Sequence, residues 1–314
     1  MSHGTDVHFL GVHVGRHSLR ARLLAGDGTP VELREKRFDA RLPLGEALQA
    51  IFHELSQHAA WPSLKGAAVG LDKGQRCSLE AHALQRQLPN QLPLLIIPAQ
   101  LASLLGAVPH GPSMLISMGS ELRLAALDST HSYREFRLQE GGAHWWVQEL
   151  HRLAEHSPKL RRALSEFKGQ QKIMRALPRL LEGADFPAPD PVLKARLDGL
   201  CELIATNCLG LCSRLPGISA FSLCGFLHPS PMSARVRQAV GQALPQPPAR
   251  FPAEVGAALL GLALHKENEE RRHLGKPLED GKAPAGQWTA SPLLVRRLYR
   301  LRRPFERFNL VSVR

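Results

Sequence analysis

From His8 to Leu24 apolar and polar positions alternate as two short strands around a glycine turn. Leu19, Ala21 and Leu23 fall on one face of the second strand, and Arg20 and Arg22 on the other. Gly26-Asp-Gly28 closes a second turn, and Val31–Phe38 reads as a third strand. The period then lengthens: Leu44, Leu48, Ile51, Phe52 and Leu55 form one apolar stripe of a helix. A buried-type strand over Gly66–Leu71 follows, then a helix with Ser78 as N-cap, a second apolar strand over Leu92–Ile97 and a short helix over Pro98–Ala107. The order is βββαβαβα.

After Pro109-His-Gly-Pro112 the pattern restarts. Strands are expected over Met114–Ser117, Leu122–Leu127 and Tyr133–Leu138, with Asp128–Ser132 as turn material, and Gly141-Gly142 opens a helix carrying Trp145, Trp146, Leu150 and Leu153. Residues 157–186 read as irregular helix broken by Gly169, Pro178 and Gly183. The proline-rich stretch Phe186–Pro191 leads into a long helix to about Cys212. A strand over Ser219–Cys224, a helix near Ser233–Leu244, an alanine-rich helix from Glu254 to about Arg272 and a loop over Gly275–Gln287 complete the pattern. Both halves thus begin with a three-strand meander followed by helices and strands, a duplication of element order without repeated sequence.

Composition narrows the class. The 314 residues are 44% hydrophobic, ordinary for a globular chain, and the longest apolar runs fall far short of a bilayer span. The first residues show no cationic segment followed by a long apolar one, so no secretory signal is expected. Five cysteines do not make a disulfide framework, and a cytoplasmic setting is the expectation. Cys201, Cys208 and Cys212 lie on one face of the long helix and read as core residues rather than metal ligands. The net charge of +12 is unevenly placed: residues 291–314 hold seven arginines and one acid. That segment either packs Leu294, Leu298 and Leu301 on the body with its arginines in water, or receives an anionic partner such as an acidic protein face.

A glycine turn lets backbone N–H groups approach an anion closely, because no Cβ intervenes. The candidates are Gly11–Ser18 in the first half and Ser117–Ser120 in the second, at equivalent places in the two meanders. Leu10-Gly-Val-His-Val-Gly-Arg-His-Ser18, with Gly26-Asp-Gly28 after it, resembles the first phosphate loop of carbohydrate kinases, and Leu115–Ser120 is similar to the second. Phe221-Ser-Leu-Cys-Gly225 resembles the adenosine strand, and Phe251–Gly261 the Gly-Ala-Ala helix beyond it. Over roughly residues 9–265 the chain resembles the superfamily of sugar kinases, actin and heat-shock chaperone ATPases, and its length is closest to N-acetylglucosamine kinases and other short sugar kinases.

The resemblance implies an α/β fold of two actin-like, ribonuclease H-like lobes, each a mixed sheet with meander and helices. Lobes are expected over 1–109 and 110–290, with 291–314 as the arginine-rich C-terminal segment. It implies phosphate binding by Gly15, Arg16, Ser18, Gly119 and Ser120, adenosine binding by Cys224, Gly225 and Gly256, and ATP as cofactor. His13 occupies the place of the Asp that organises Mg²⁺, and that ion prefers oxygen ligands. Between Ile97 and Gly106, where short sugar kinases carry an Asn-Asp pair with the catalytic base, there is no carboxylate. Asp72 is the candidate surrogate base, and one of the adjacent tryptophans a candidate sugar platform.

Two functions follow. The first is a degenerate, non-catalytic pseudokinase: a binding or scaffold protein with weak nucleotide or anion binding, as in actin-like components of pilus and secretion assemblies. The second is an active small ATP-dependent sugar kinase with displaced acids.

Overall fold

The computed structural model of the chain describes residues 7–15, 18–37, 43–72, 84–92, 94–108, 111–184, 189–228, 230–244, 246, 251–278 and 295–298. The chain divides into two compact units. The first takes in residues 1–111, 131–133 and 248–314, and the second residues 112–130 and 134–247.

In the first unit the alternating segments form the meander β1 (His8–Val14), β2 (Ser18–Ala25) and β3 (Pro30–Arg37), followed by α1 (Leu44–Ser56), β4 (Leu64–Leu71), β5 (Leu94–Pro98) and α2 (Ala99–Ala107). The sheet runs β3-β2-β1-β4-β5. β1 is antiparallel to β2 and parallel to β4, and β4 is parallel to β5. Because β1, β4 and β5 run the same way, their C-terminal ends share one edge, where ligands of α/β sheets bind. The apolar stripe of α1 packs with Leu10, Val12, Val14, Leu19, Ala21 and Leu23 in one core.

The second unit repeats the plan. Its meander is β6 (Ser113–Met118), β7 (Leu122–Leu127) and β8 (Tyr133–Leu138). Helices α3 (Ala143–Ala154), α4 (Pro158–Ser165), α5 (Gln170–Glu182) and α6 (Pro191–Arg214) follow, then β9 (Ala220–Cys224) and α7 (Pro231–Gly241). The sheet order is β8-β7-β6-β9, with β9 parallel to β6. Trp146, Leu150 and the buried faces of α4–α7 cover Met114, Ile116, Met118, Phe221 and Leu223. The three clustered cysteines sit on α6, Cys201 and Cys208 in the core and Cys212 packed against it.

Two expectations are corrected. Pro178 does not break the helix: α5 continues through it, with Ile173, Leu177 and Leu181 buried along one side.

The second concerns α8 (Ala253–His273), drawn in sequence as part of the second lobe. It belongs to the first unit, where glycines let it lie directly on the sheet. A Cβ on Gly11 would come within 1.9 Å of the Glu254 carbonyl oxygen, and one on Gly66 within 2.6 Å of the Gly261 oxygen.

Candidate functional site

In the first unit the resemblance points to the end of β1. His13 pairs with Arg20 across β2 and with Gly70 on β4. Burial, reinforced by the Arg20 charge, lowers its pKa from 6.5 to about 4. At neutral pH the ring is therefore uncharged and offers a nitrogen beside a cation. Mg²⁺ takes oxygen ligands, so these residues do not fit it. No group of three or more His, Cys, Asp or Glu side chains able to hold a metal occurs among the described residues.

Gly15 follows β1, and its N–H donates to the Ser18 carbonyl at 2.8 Å, closing the hairpin. That amide is used within the turn. Arg16 lies outside the described residues. Asp72 directly follows β4, two residues past the partner of His13, so it stands at the same edge.

After β5 the edge carries Gln100, in the first turn of α2. Its Oε1 is buried without a hydrogen-bond partner. The position falls in the segment where the resemblance expects the Asn-Asp pair, and an uncharged amide there cannot accept a proton as a carboxylate does. Only that alignment could have singled it out from sequence.

In the second unit the parallel pairing of β6 and β9 sets Ser117 opposite Cys224. This brings the second phosphate turn and the adenosine-strand residues to one edge. Gly119 N–H donates to the Glu121 carbonyl at 3.2 Å, while the N–H groups of Ala143 and His144 donate to the carbonyls of Gly119 and Ser120. The first turn of α3 is thereby tied to the phosphate turn. The space over Gly119 stays open, with nothing nearer than 3.8 Å to a Cβ placed there.

Gly225 has φ +100°, and a Cβ on it would lie 2.5 Å from the Met118 carbonyl oxygen. Its lack of a side chain serves the seating of the β9 end on β6. Burial pushes the Cys224 thiol up to about 11, against a Ser117 hydrogen bond that lowers it, so it stays protonated. Gly256 is not at a strand edge at all. It is buried in the α8–α2 crossing, where a Cβ would come 2.0 Å from the Ala102 oxygen, so its backbone is committed to packing.

Three further side chains resolve simply. Asp128 Oδ1 accepts from the Thr130 N–H at 2.8 Å, an Asx turn. Trp146 is wholly buried, whereas the Trp145 ring lies under the Arg196 guanidinium, 4.7 Å from its centroid. Arg196 is in turn paired with Glu140 and Glu149.

No family model matches the chain, and no curated protein matches it in sequence. Solved structures do. A candidate N-acetylglucosamine kinase from Chromobacterium violaceum superposes with a TM-score of 0.60 at 21% identity, over 81% of this chain and 99% of that one. A ROK family glucokinase from Streptomyces griseus, solved with glucose and AMPPNP, gives 0.54 at 15% identity over 81% and 99%. The glucokinase of Balamuthia mandrillaris, solved with glucose, gives 0.54 at 10% identity over 82% and 94%. The fold is that of the sugar kinase and actin-like ATPase superfamily.

No helix among the described residues is long and apolar enough to cross a membrane.

Proposed function

We propose that this chain is a sugar-kinase-like binding protein that has lost phosphoryl transfer and keeps a weak, metal-independent affinity for a nucleotide or small anion. One observation carries the reading: His13, where the resemblance sets the metal-organising Asp, offers an imidazole nitrogen beside Arg20 and no carboxylate oxygen. A site that cannot hold Mg²⁺ loses the ion that bridges and neutralises the β- and γ-phosphates. Gln100 and its neighbours supply no base.

Anion binding needs less. In the second unit the open approach over Gly119 and the Ser120 hydroxyl offer donors that require no metal, and in the first unit the Ser18 hydroxyl does the same, with Arg16 beside it in sequence. The glucokinase from Streptomyces griseus was solved with AMPPNP, which supports ATP as the ligand to try first. Because the Gly15 and Gly119 amides are used within their turns, fewer backbone donors face a phosphate than the sequence implied, and the affinity is weak.

The second reading, an active small sugar kinase, is favoured by Asp72, a carboxylate at the edge shared with His13. Calorimetric titration of ATP with and without Mg²⁺ separates the two. Binding of similar strength in both conditions supports the metal-independent site. A strict requirement for Mg²⁺ supports the kinase, and no heat at millimolar ATP removes the nucleotide from either. Partner binding through the arginine-rich C-terminal segment belongs to the same proposal. Of that segment residues 295–298 are described, with Val295 and Leu298 buried and Arg297 paired with Glu270 at 2.6 Å.

A further inference from the structure

The charge pattern of the second unit points away from the phosphate turns. Residues 151–182, which span the end of α3 together with α4 and α5, contain eight Lys and Arg against three Glu, and all eight cations are exposed. Three have partners or structural work: Arg152 pairs with Glu149, Arg161 caps the carbonyls of Ala154 and Glu155, and Lys159 is also engaged. Arg162, Lys168, Lys172, Arg175 and Arg179 meet no carboxylate among the described residues.

The placement is directional. On α5, Lys172, Arg175 and Arg179 follow at i, i+3 and i+7, one stripe along the helix. They lie opposite the buried Ile173, Leu177 and Leu181, so the packing that holds α5 in the core turns the cations outward. Arg162 likewise lies opposite Leu160 and Leu164 on α4. Lys168 sits in the connection between the two helices.

We propose that the exposed cations of α4 and α5 dock the phosphate backbone of a nucleic-acid duplex, independent of base sequence. The row Lys172, Arg175 and Arg179, with no acid between them in sequence, is the kind of footprint that releases counterions from a duplex. Other polyanions fit less well. An acidic protein partner needs apolar or aromatic anchors, and none of the exposed large hydrophobic residues lies between 151 and 182. Anionic lipid is bound most firmly when a helix inserts its apolar face, and on α4 and α5 that face is in the core. Single strands are held by stacking on exposed aromatics, whereas Phe167, the aromatic residue of this stretch, packs against the core.

The test uses the full chain and a fluorescein-labelled duplex of about 30 base pairs, read by anisotropy from about 50 to 200 mM salt. The parent should bind two unrelated sequences equally, with affinity falling steeply with salt. The triple variant Lys172→Gln/Arg175→Gln/Arg179→Gln should bind at least about tenfold more weakly and lower the log–log salt slope by about 2 to 3. Its circular dichroism should match the parent. Should it fail to fold, Arg162→Gln/Lys168→Gln gives the same test with a slope change of about 1 to 2.

Four results overturn the proposal: no duplex binding by the parent, unchanged binding by the folded variants, loss only on changing Arg302, Arg303 and Arg307 to Gln, or tighter binding to phosphatidylserine vesicles or polyglutamate than to the duplex.

Discussion

The Arg22 guanidinium and the Glu254 carboxylate meet 3.7 Å apart, Nε to Oε1, with both side chains less than a tenth exposed. The pair joins β2 to the first turn of α8, and Arg22 Nε has no hydrogen-bond partner. A buried charge deprived of its counter-charge costs about 3–5 kcal/mol, whereas replacing both partners by apolar groups of similar volume is often neutral. Glu254→Gln should therefore destabilise the protein by about that amount in urea denaturation, and Arg22→Met/Glu254→Leu should recover most of it. A single variant within about 1 kcal/mol of the parent would mean that Arg22 is solvated without Glu254.

The same helix is seated by absent side chains. A Cβ on Gly11 would strike the Glu254 carbonyl and the Ala258 nitrogen at 2.5 Å, and one on Gly256 would strike the Ala102 oxygen at 2.0 Å. These are backbone atoms, so no rotamer change relieves the overlap. Gly11→Ala and Gly256→Ala should each cost about 3 kcal/mol or more by urea denaturation, the upper end of overpacking. Gly45→Ala is the control. Nothing lies within 4 Å of a Cβ there, and in a helix the change should be neutral or stabilise by up to about 1 kcal/mol.

These contacts show which part of the molecule was legible in sequence. The two meanders and the strand–helix alternation were, because periods of two and 3.6 register which residues face a core. The fate of α8 was not. Its apolar residues mark it as buried, but only three-dimensional packing reveals that Gly11 and Gly66 make room for it on the first sheet. For the same reason Gly225 and Gly256 read as nucleotide-facing glycines: a residue chosen for close approach looks the same whether the approaching group is a ligand or another backbone. Alternation set Arg20 and Arg22 on one face of β2 without saying whether that face is covered, and Arg22 is buried. The strand-edge meeting of Ser117 with Cys224 comes from the parallel pairing of β6 with β9, which the strand pattern alone does not specify.

His13 makes stability depend on pH with a definite sign. In the folded chain burial and Arg20 lower the His13 pKa to about 4, while in the unfolded chain it returns to about 6.5. Between those values the unfolded state binds the proton more readily, so stability rises with pH through the window. It is full above about 6.5 and is lost as the pH falls towards 4, by as much as roughly 3 kcal/mol from this one group. Burial lowers His228 and His265 as well, and they add slope of the same sign. His13→Gln should remove the His13 share. Parallel denaturation of parent and variant at several pH values between 4 and 7 reads the difference, and identical slopes would place the proton elsewhere.

Catalysis is the sharpest divide between the two readings. An ordinary kinase turns over at about 1–100 per second with Mg²⁺ bridging the phosphates and a carboxylate oriented on the acceptor hydroxyl. Losing a positioned acid–base group alone costs about 10²–10⁴-fold. On the proposed non-catalytic reading His13 stands where the resemblance sets the metal-organising carboxylate and Gln100 in the segment expected to hold the base, and the two losses compound. Phosphorylation of any common sugar should stay below about a ten-thousandth of the ordinary rate, with or without Mg²⁺. The assay is a coupled ADP-release measurement over a panel of hexoses and N-acetylated amino sugars. It should be run beside Asp72→Asn, which removes the one candidate base at that edge. A parent turnover near 1 per second that Asp72→Asn abolishes would restore the kinase and make Asp72 its base. Turnover that Asp72→Asn leaves intact would also overturn the non-catalytic reading, but it would send the search for the base beyond the edge shared by β1, β4 and β5.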